Sequence, residues 1–127
     1  MMSPDVLFFF EKDPAALELY EAFERTALSL VPDLEIRAQK TQITFINRRV
    51  FAAVSFLPVR RKDRRPAHYI TVTVGLPYRL DSPRVDAASE PYPNRWTHHF
   101  LISSPEEIDE EMTGWIQEAA AFAVAKR

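Results

Sequence analysis

The sequence predicts an α+β fold: a two-layer sandwich in which an antiparallel sheet of four or five strands carries an N-terminal and a C-terminal helix on one face. Three observations point there. Apolar residues recur with a helical period near each end of the chain and with a period of two between them. Connections between most of the middle segments are of hairpin length, which antiparallel pairing requires. Each helix carries a single apolar stripe, and two such stripes can cover one sheet face. A chain of 127 residues with no linker or internal repeat fits one domain, residues 1–127, burying roughly two-thirds of its unfolded-chain surface.

The first helix opens at Asp13, a good N-cap, and Pro14, whose missing N–H costs nothing at a first helical position. Ala16, Tyr20, Phe23, Ala27 and Leu30 form its stripe, widened by Leu17, Leu28 and Val31. Pro32 ends it. Phe8 to Phe10 are expected to fold back on its first turn. From Leu34 the period changes: Leu34, Ile36 and Ala38 alternate with polar residues as in a strand, and the phase shifts near Lys40 to Gln42, marking a bulge or tight connection before Ile43 and Phe45. Asn47-Arg48-Arg49 reads as a hairpin loop. The strand from Val50 to Val59 is apolar on both faces and should be central, with Phe51, Ala53 and Leu57 on one side and Val50, Val54 and Phe56 on the other. His68 to Leu76 alternates, with Ile70, Val72, Val74 and Leu76 inward. Residues 77–94 hold four prolines and no periodicity, a long loop of the kind that often carries function. Arg95 to Ser103 is the last strand. Ser104, Pro105 and Glu107 then make a capping box for the final helix, whose stripe is Ile108, Met112, Trp115, Ala119 and Phe122.

Composition removes whole classes of chemistry. With no cysteine there is no disulfide, thiolate nucleophile or Cys-containing zinc site. The two glycines, Gly75 and Gly114, lie far apart, so a Walker A loop, a dinucleotide fingerprint and a nucleophile elbow are all excluded, because each needs closely spaced glycines. The longest apolar run near the start, Val6 to Phe10, is too short for a signal segment or a membrane span. A cytoplasmic protein without a membrane partner is expected, and no cofactor is.

The net charge of −2 hides a segregation. From Arg37 to Arg95 there are twelve Lys and Arg against four Asp and Glu, a net of +8; the remainder carries four against fourteen, a net of −10. The sheet half is basic and the helical half acidic, which is an argument about partners. The expected function is a non-enzymatic binding module with a basic sheet-side surface for an anionic partner, nucleic acid being the foremost candidate. Its candidate residues are Lys40; Arg60, Arg61, Lys62, Arg64 and Arg65 of a basic hairpin loop; Arg84; and Arg95, Trp96, His98 and His99. Adjacent hairpin turns lie at opposite ends of a strand, so Arg48 and Arg49 need not join that patch. The alternative is an enzyme or small-ligand protein whose pocket lies between loop 77–94 and the last strand, using His98 or His99 with Arg95. A third expectation is a homodimer burying an open sheet face from which Val50, Val54 and Phe56 project.

No metal site is expected. The acidic run from Glu106 to Glu111 complements a helix N-terminus and is otherwise a solvated face. His98 and His99 are neighbours on a strand, so they point to opposite faces and cannot share an ion.

Several strings together carry a family resemblance: Leu19-Tyr20, Lys40-Thr41-Gln42-Ile43, Phe51-Ala52, Ser82-Pro83-Arg84, Pro93-Asn94-Arg95-Trp96-Thr97-His98-His99, and Asp109 with Trp115 and Ala119. The sequence resembles the bacterial domain of unknown function 5655 over nearly its whole length, with Arg-Trp-Thr-His-His the most specific part. The resemblance implies a small α+β domain, some relatives being appended to restriction-type proteins. More distant likenesses run to a frataxin-like iron-chaperone group and a winged DNA-binding-like group. It favours a binding module and implies no catalytic residue.

Overall fold

The computed structural model describes residues 2–125. Its sheet has six strands: β1 (Glu35–Ala38), β2 (Gln42–Ile46), β3 (Val50–Ser55), β4 (Ile70–Leu76), β5 (Ala87–Tyr92) and β6 (Arg95–Ile102). All neighbours pair antiparallel, in the order β1-β2-β3-β4-β6-β5. The helices are α1 (Pro4–Phe9), α2 (Leu17–Leu30) and α3 (Glu110–Ala125). The fold is the expected α+β sandwich, with one more strand and one more short helix than the sequence pattern indicated.

The additional strand is β5. It lies inside the proline-rich stretch and pairs on one side alone, with β6. An edge strand can hold Pro91 because half of its backbone groups need no ladder partner. Asn94 takes a positive φ of 61° at the tip of the β5–β6 turn, a conformation that Asn tolerates better than most residues.

Helix starts also differ from expectation. Asp13 makes no side-chain cap; a 3-10 turn, Pro14–Ala16, leads into α2, and the Asp13 carboxylate instead holds His68 Nδ1 at 2.9 Å. Ser104 and Glu107 do form a capping box, but on a 3-10 turn, Pro105–Glu107. The side chain that caps α3 itself is Asp109, whose carboxylate accepts from the Met112 N–H at 3.0 Å.

The core lies between the sheet and the helices. Tyr20 and Phe23 of α2 pack on Phe45 of β2, with ring centroids 6.1 and 5.0 Å apart. Phe9 stacks on Phe56 at 5.3 Å, and Phe100 stacks on Trp115 at 5.1 Å. From β4, Ile70, Val72, Val74 and Leu76 are fully buried on this side.

The faces of β3 differ from those expected beyond Phe51, while Phe51 is buried and Val50 exposed as expected. Phe45 pairs with Ala52 but Ile46 pairs with Val50, so Phe51 is an extra residue, a bulge, and it belongs to the buried core. Past the bulge the phase has changed. Val54, paired with Ile43 and Val72, is buried in the core, and Phe56 packs on Phe9 and Phe10. The face without helices therefore presents Thr44, Ala53, Ser55, Thr73, Thr97 and His99, as the pairings require. Val54 is buried and Phe56 packs on Phe9 and Phe10, reaching this face only at the edge of a trough, so of the expected apolar patch Val50 alone remains largely exposed. Among the described residues, no helix is long and apolar enough to cross a membrane.

Candidate functional site

The strand pleat decides the roles of the two histidines. His98 pairs with Val74 and faces the helices; His99 pairs with Thr73 and faces the other way. His98 is completely buried. Its Nε2 accepts the Leu80 N–H at 2.9 Å, which places the proton of the neutral ring on Nδ1. Nδ1 faces the Val74 carbonyl without a hydrogen bond of good geometry. Burial pushes the His98 pKa below its ordinary value; the Val74 carbonyl works against that, and the charges of His99 and Arg79 reinforce it. His98 is thus a neutral anchor for the start of loop 77–86. His99 has its Nδ1 2.8 Å from Thr73 Oγ1, and burial lowers its pKa too.

The basic loop between β3 and β4 folds over the face that lacks helices. The Leu57 carbonyl accepts from the Thr71 hydroxyl at 2.6 Å, and the Phe56 carbonyl from the Tyr69 hydroxyl at 3.2 Å. Arg60 then reaches across. Its Nε donates to Asp86 Oδ1 at 2.7 Å and its terminal nitrogen to Asp86 Oδ2 and the Leu101 carbonyl, while Oδ2 also accepts the Leu101 N–H at 2.7 Å. The Asp86 hydrogen bond raises the Arg60 pKa, outweighing partial burial. Arg60 is therefore a strut between two loops.

Other candidates are committed in the same way. Arg84 donates to Asp109, Glu111 and the Glu107 carbonyl at 2.7–3.2 Å and lies over the Trp115 ring, 5.5 Å from its centroid. Burial works to lower its pKa, and the hydrogen bonds it donates to Glu111 and Asp109 raise it on balance. It ties the proline-rich loop to α3. Trp96 lies 5.7 Å beneath the Arg79 guanidinium. Arg61 pairs with Asp63 at 3.5 Å, both exposed. Arg65 is half-buried, and its Nε is shut from solvent without a hydrogen bond. Lys40, Lys62 and Arg64 are exposed, and no ion pair involves their side chains among the described residues.

The candidates do not form one patch. The β1–β2 turn with Lys40 and the basic loop share one end of the sheet: Lys12 Nζ donates to the Lys40 carbonyl at 3.0 Å, and Lys12 and Leu57 line the same trough. Arg95 begins β6, four residues from His99, hence at about 13 Å along the strand and toward the other end. Arg48 lies in the β2–β3 turn, also at the other end of the sheet, its guanidinium on the Val124 carbonyl of α3. The expected pocket using His98 or His99 with Arg95 is not assembled. A concavity of about 430 Å³ does lie between the loop and β5, lined by Arg79, Asp81, Ser82 and Asp86, but neither histidine nor Arg95 lines it.

The sequence pattern did not indicate the trough on the helix-free face. It measures about 550 Å³ and is lined by Lys12, Thr41, Gln42, Ser55, Phe56, Leu57, Thr73, Thr97 and His99. The period-two pattern of β4 and β6 contained Thr73, Thr97 and His99 as one face. What hid the rest was the bulge at Phe51, which reverses the side on which Ser55 falls. Among the described residues, no group of three His, Asp or Glu is placed to hold a metal ion.

Compared with known proteins, residues 8–123 match the family model of a domain of unknown function, DUF5655. No curated protein and no solved structure matches the chain.

Proposed function

The chain belongs to the DUF5655 family, and from its geometry we propose that it is a binding module that receives an anionic partner, nucleic acid first among the candidates, on the sheet face left free by the helices. The observation that carries this reading is the sorting of charge by place. Lys40, Lys62 and Arg64 stand exposed at one end of that face and, among the described residues, without ion pairs, beside the half-buried Arg65 with its unsatisfied Nε–H. The carboxylates of α2 and α3 lie on elements packed against the opposite face. A polyanion approaching the free face meets cations, and counterion release drives its binding.

The test is a mobility-shift titration of single-stranded and double-stranded oligonucleotides against the native protein and a Lys62→Glu/Arg64→Glu variant. Retention at about 50 mM salt that falls steeply by about 200 mM, and is lost in the variant, is the expected result. No retention of either nucleic acid by the native protein at low salt sinks the reading.

A further inference from the structure

We infer that the trough on the helix-free face is a site for a phosphomonoester, a small molecule carrying one terminal phosphate. This deepens the reading above and rests on it, since it takes the same face as the binding face.

The first argument is the inventory of polar groups. Ser55 Oγ accepts the Leu57 N–H at 3.2 Å, so its own hydrogen is left to donate into the trough. Thr97 adds a second hydroxyl. Thr73 and His99 Nδ1 satisfy one another at 2.8 Å; with the Thr73 hydroxyl donating, the neutral ring carries its proton on Nε2 as a further donor. Lys12 spends one ammonium hydrogen on the Lys40 carbonyl and lies 4.9 Å over the Phe9 ring, so it arrives held in place with donors to spare. With Thr41 and Gln42, which also line the trough, the groups that can turn toward a ligand are hydroxyls, an amide, an imidazole and an ammonium, each able to donate to an oxyanion.

The second argument is what the trough lacks. Four other concavities on the molecule each carry at least one carboxylate: Asp33 in one, Asp5 and Glu11 in another, Glu21 and Glu24 in a third, Asp81 and Asp86 in the fourth. The trough has none. Among these five concavities, in a chain with eighteen acidic residues, the trough is the one whose lining holds no carboxylate.

The third argument concerns the rest of the ligand. The trough, at about 550 Å³, has the capacity of a small-molecule site rather than that of a single ion. Phe56 and Leu57 give it one apolar wall, and Phe56 is braced by its stack on Phe9. That wall suits an organic body attached to the phosphate.

The experiment is an amide NMR titration of the full chain with adenosine 5′-monophosphate, adenosine and inorganic phosphate as probes. Saturable shifts at Ser55, Thr73, Thr97 and His99 with the monophosphate are expected, together with binding by adenosine at least about tenfold weaker. Shifts at the same amides with inorganic phosphate alone would support the oxyanion half of the site and set the contribution of the apolar wall. Thr97→Val and Lys12→Met are each expected to weaken the monophosphate by about tenfold while leaving the remaining spectrum in place. The inference is overturned if adenosine binds as tightly as its monophosphate. It is equally overturned if neither phosphate probe shifts these amides at up to about 10 mM. Oligonucleotide binding that persists after such a failure leaves the surface reading standing without the trough. Monophosphate binding with no oligonucleotide retention confines the site to small molecules.

Discussion

His98 and His99 are neighbours in the chain, and each has its pKa lowered first by burial, yet they belong to different chemistries. His98 sits on the face packed by α2 and α3, where its surroundings are Val74, Phe100 and a single backbone donor from Leu80. His99 sits on the face without helices, among hydroxyls and within reach of solvent. The difference follows from the pleat alone, and it extends to the two faces as wholes. One is cemented by aromatic packing, while the other is held by hydrogen bonds and ion pairs between loops. The first face carries most of the packing that stabilises the fold, and the second is the one to which the proposed binding is assigned.

The sharpest way to break this comparison is to truncate neighbours on β2. Phe45→Ala empties a site in contact with Tyr20 and Phe23 and is expected to cost about 3–5 kcal/mol. Thr44→Ala, on the other face, removes one hydroxyl bond to the Arg37 carbonyl and should cost about 1 kcal/mol. Urea unfolding of both variants measures the gap. Equal losses would mean that the two faces are not divided in this way.

Asp86 tests the second face by its own means. It is the joint at which the basic loop, β6 and the proline-rich loop meet. Asp86→Asn leaves the partly buried Arg60 without its counter-charge, and a loss of about 2 kcal/mol is expected from the same urea measurement. A loss below about 0.5 kcal/mol would show that the loop is not braced through this ion pair.

How much of this was legible in the sequence depends on whether local pattern or distant contact decides each feature. The inward set of β4 and the opposed histidines follow from spacing within a few residues and are found as read; the capping box around Ser104 also forms, though on a 3-10 turn and not on the final helix itself. The bulge at Phe51 was not legible, because an extra residue in an all-apolar strand changes no local pattern and shows only in the register with β2. Arg60 and Arg84 read as free cations, since nothing in their own segments announces that Asp86 and Asp109 will close on them from 26 and 25 residues away. Composition supplied the charge; only the fold decided which charges were already neutralised.

The two histidines also make the comparison measurable by pH. Both pKa values are lowered in the fold, so the unfolded chain binds protons more readily than the native one. Their contribution is complete above about pH 6.5 and declines as pH falls below it, by at most about 1.4 kcal/mol per pH unit for each ring. His99→Gln removes one share and should flatten the slope of stability between about pH 5 and pH 6.5 without altering the Leu80 anchor. A slope unchanged from the native protein would show that His99 contributes nothing to it.

The smallest expected effect on stability separates folding from binding on the basic loop. Asp63 and Arg61 are 3.5 Å apart with side chains 66% and 82% exposed, so solvent screens the pair. Asp63→Asn should therefore shift the unfolding free energy by less than about 0.5 kcal/mol. The same change removes the acidic side chain from the run Arg60 to Arg65 and releases Arg61. If the loop contacts a polyanion, oligonucleotide affinity rises about two- to threefold at low salt and returns to the native value at high salt, where the Debye length has shrunk below the spacing of the charges. A variant that is silent in unfolding yet tighter in binding assigns the loop to recognition. One that is silent in both returns Arg61 and Asp63 to a solvated hairpin tip and leaves the trough as the remaining candidate on this face.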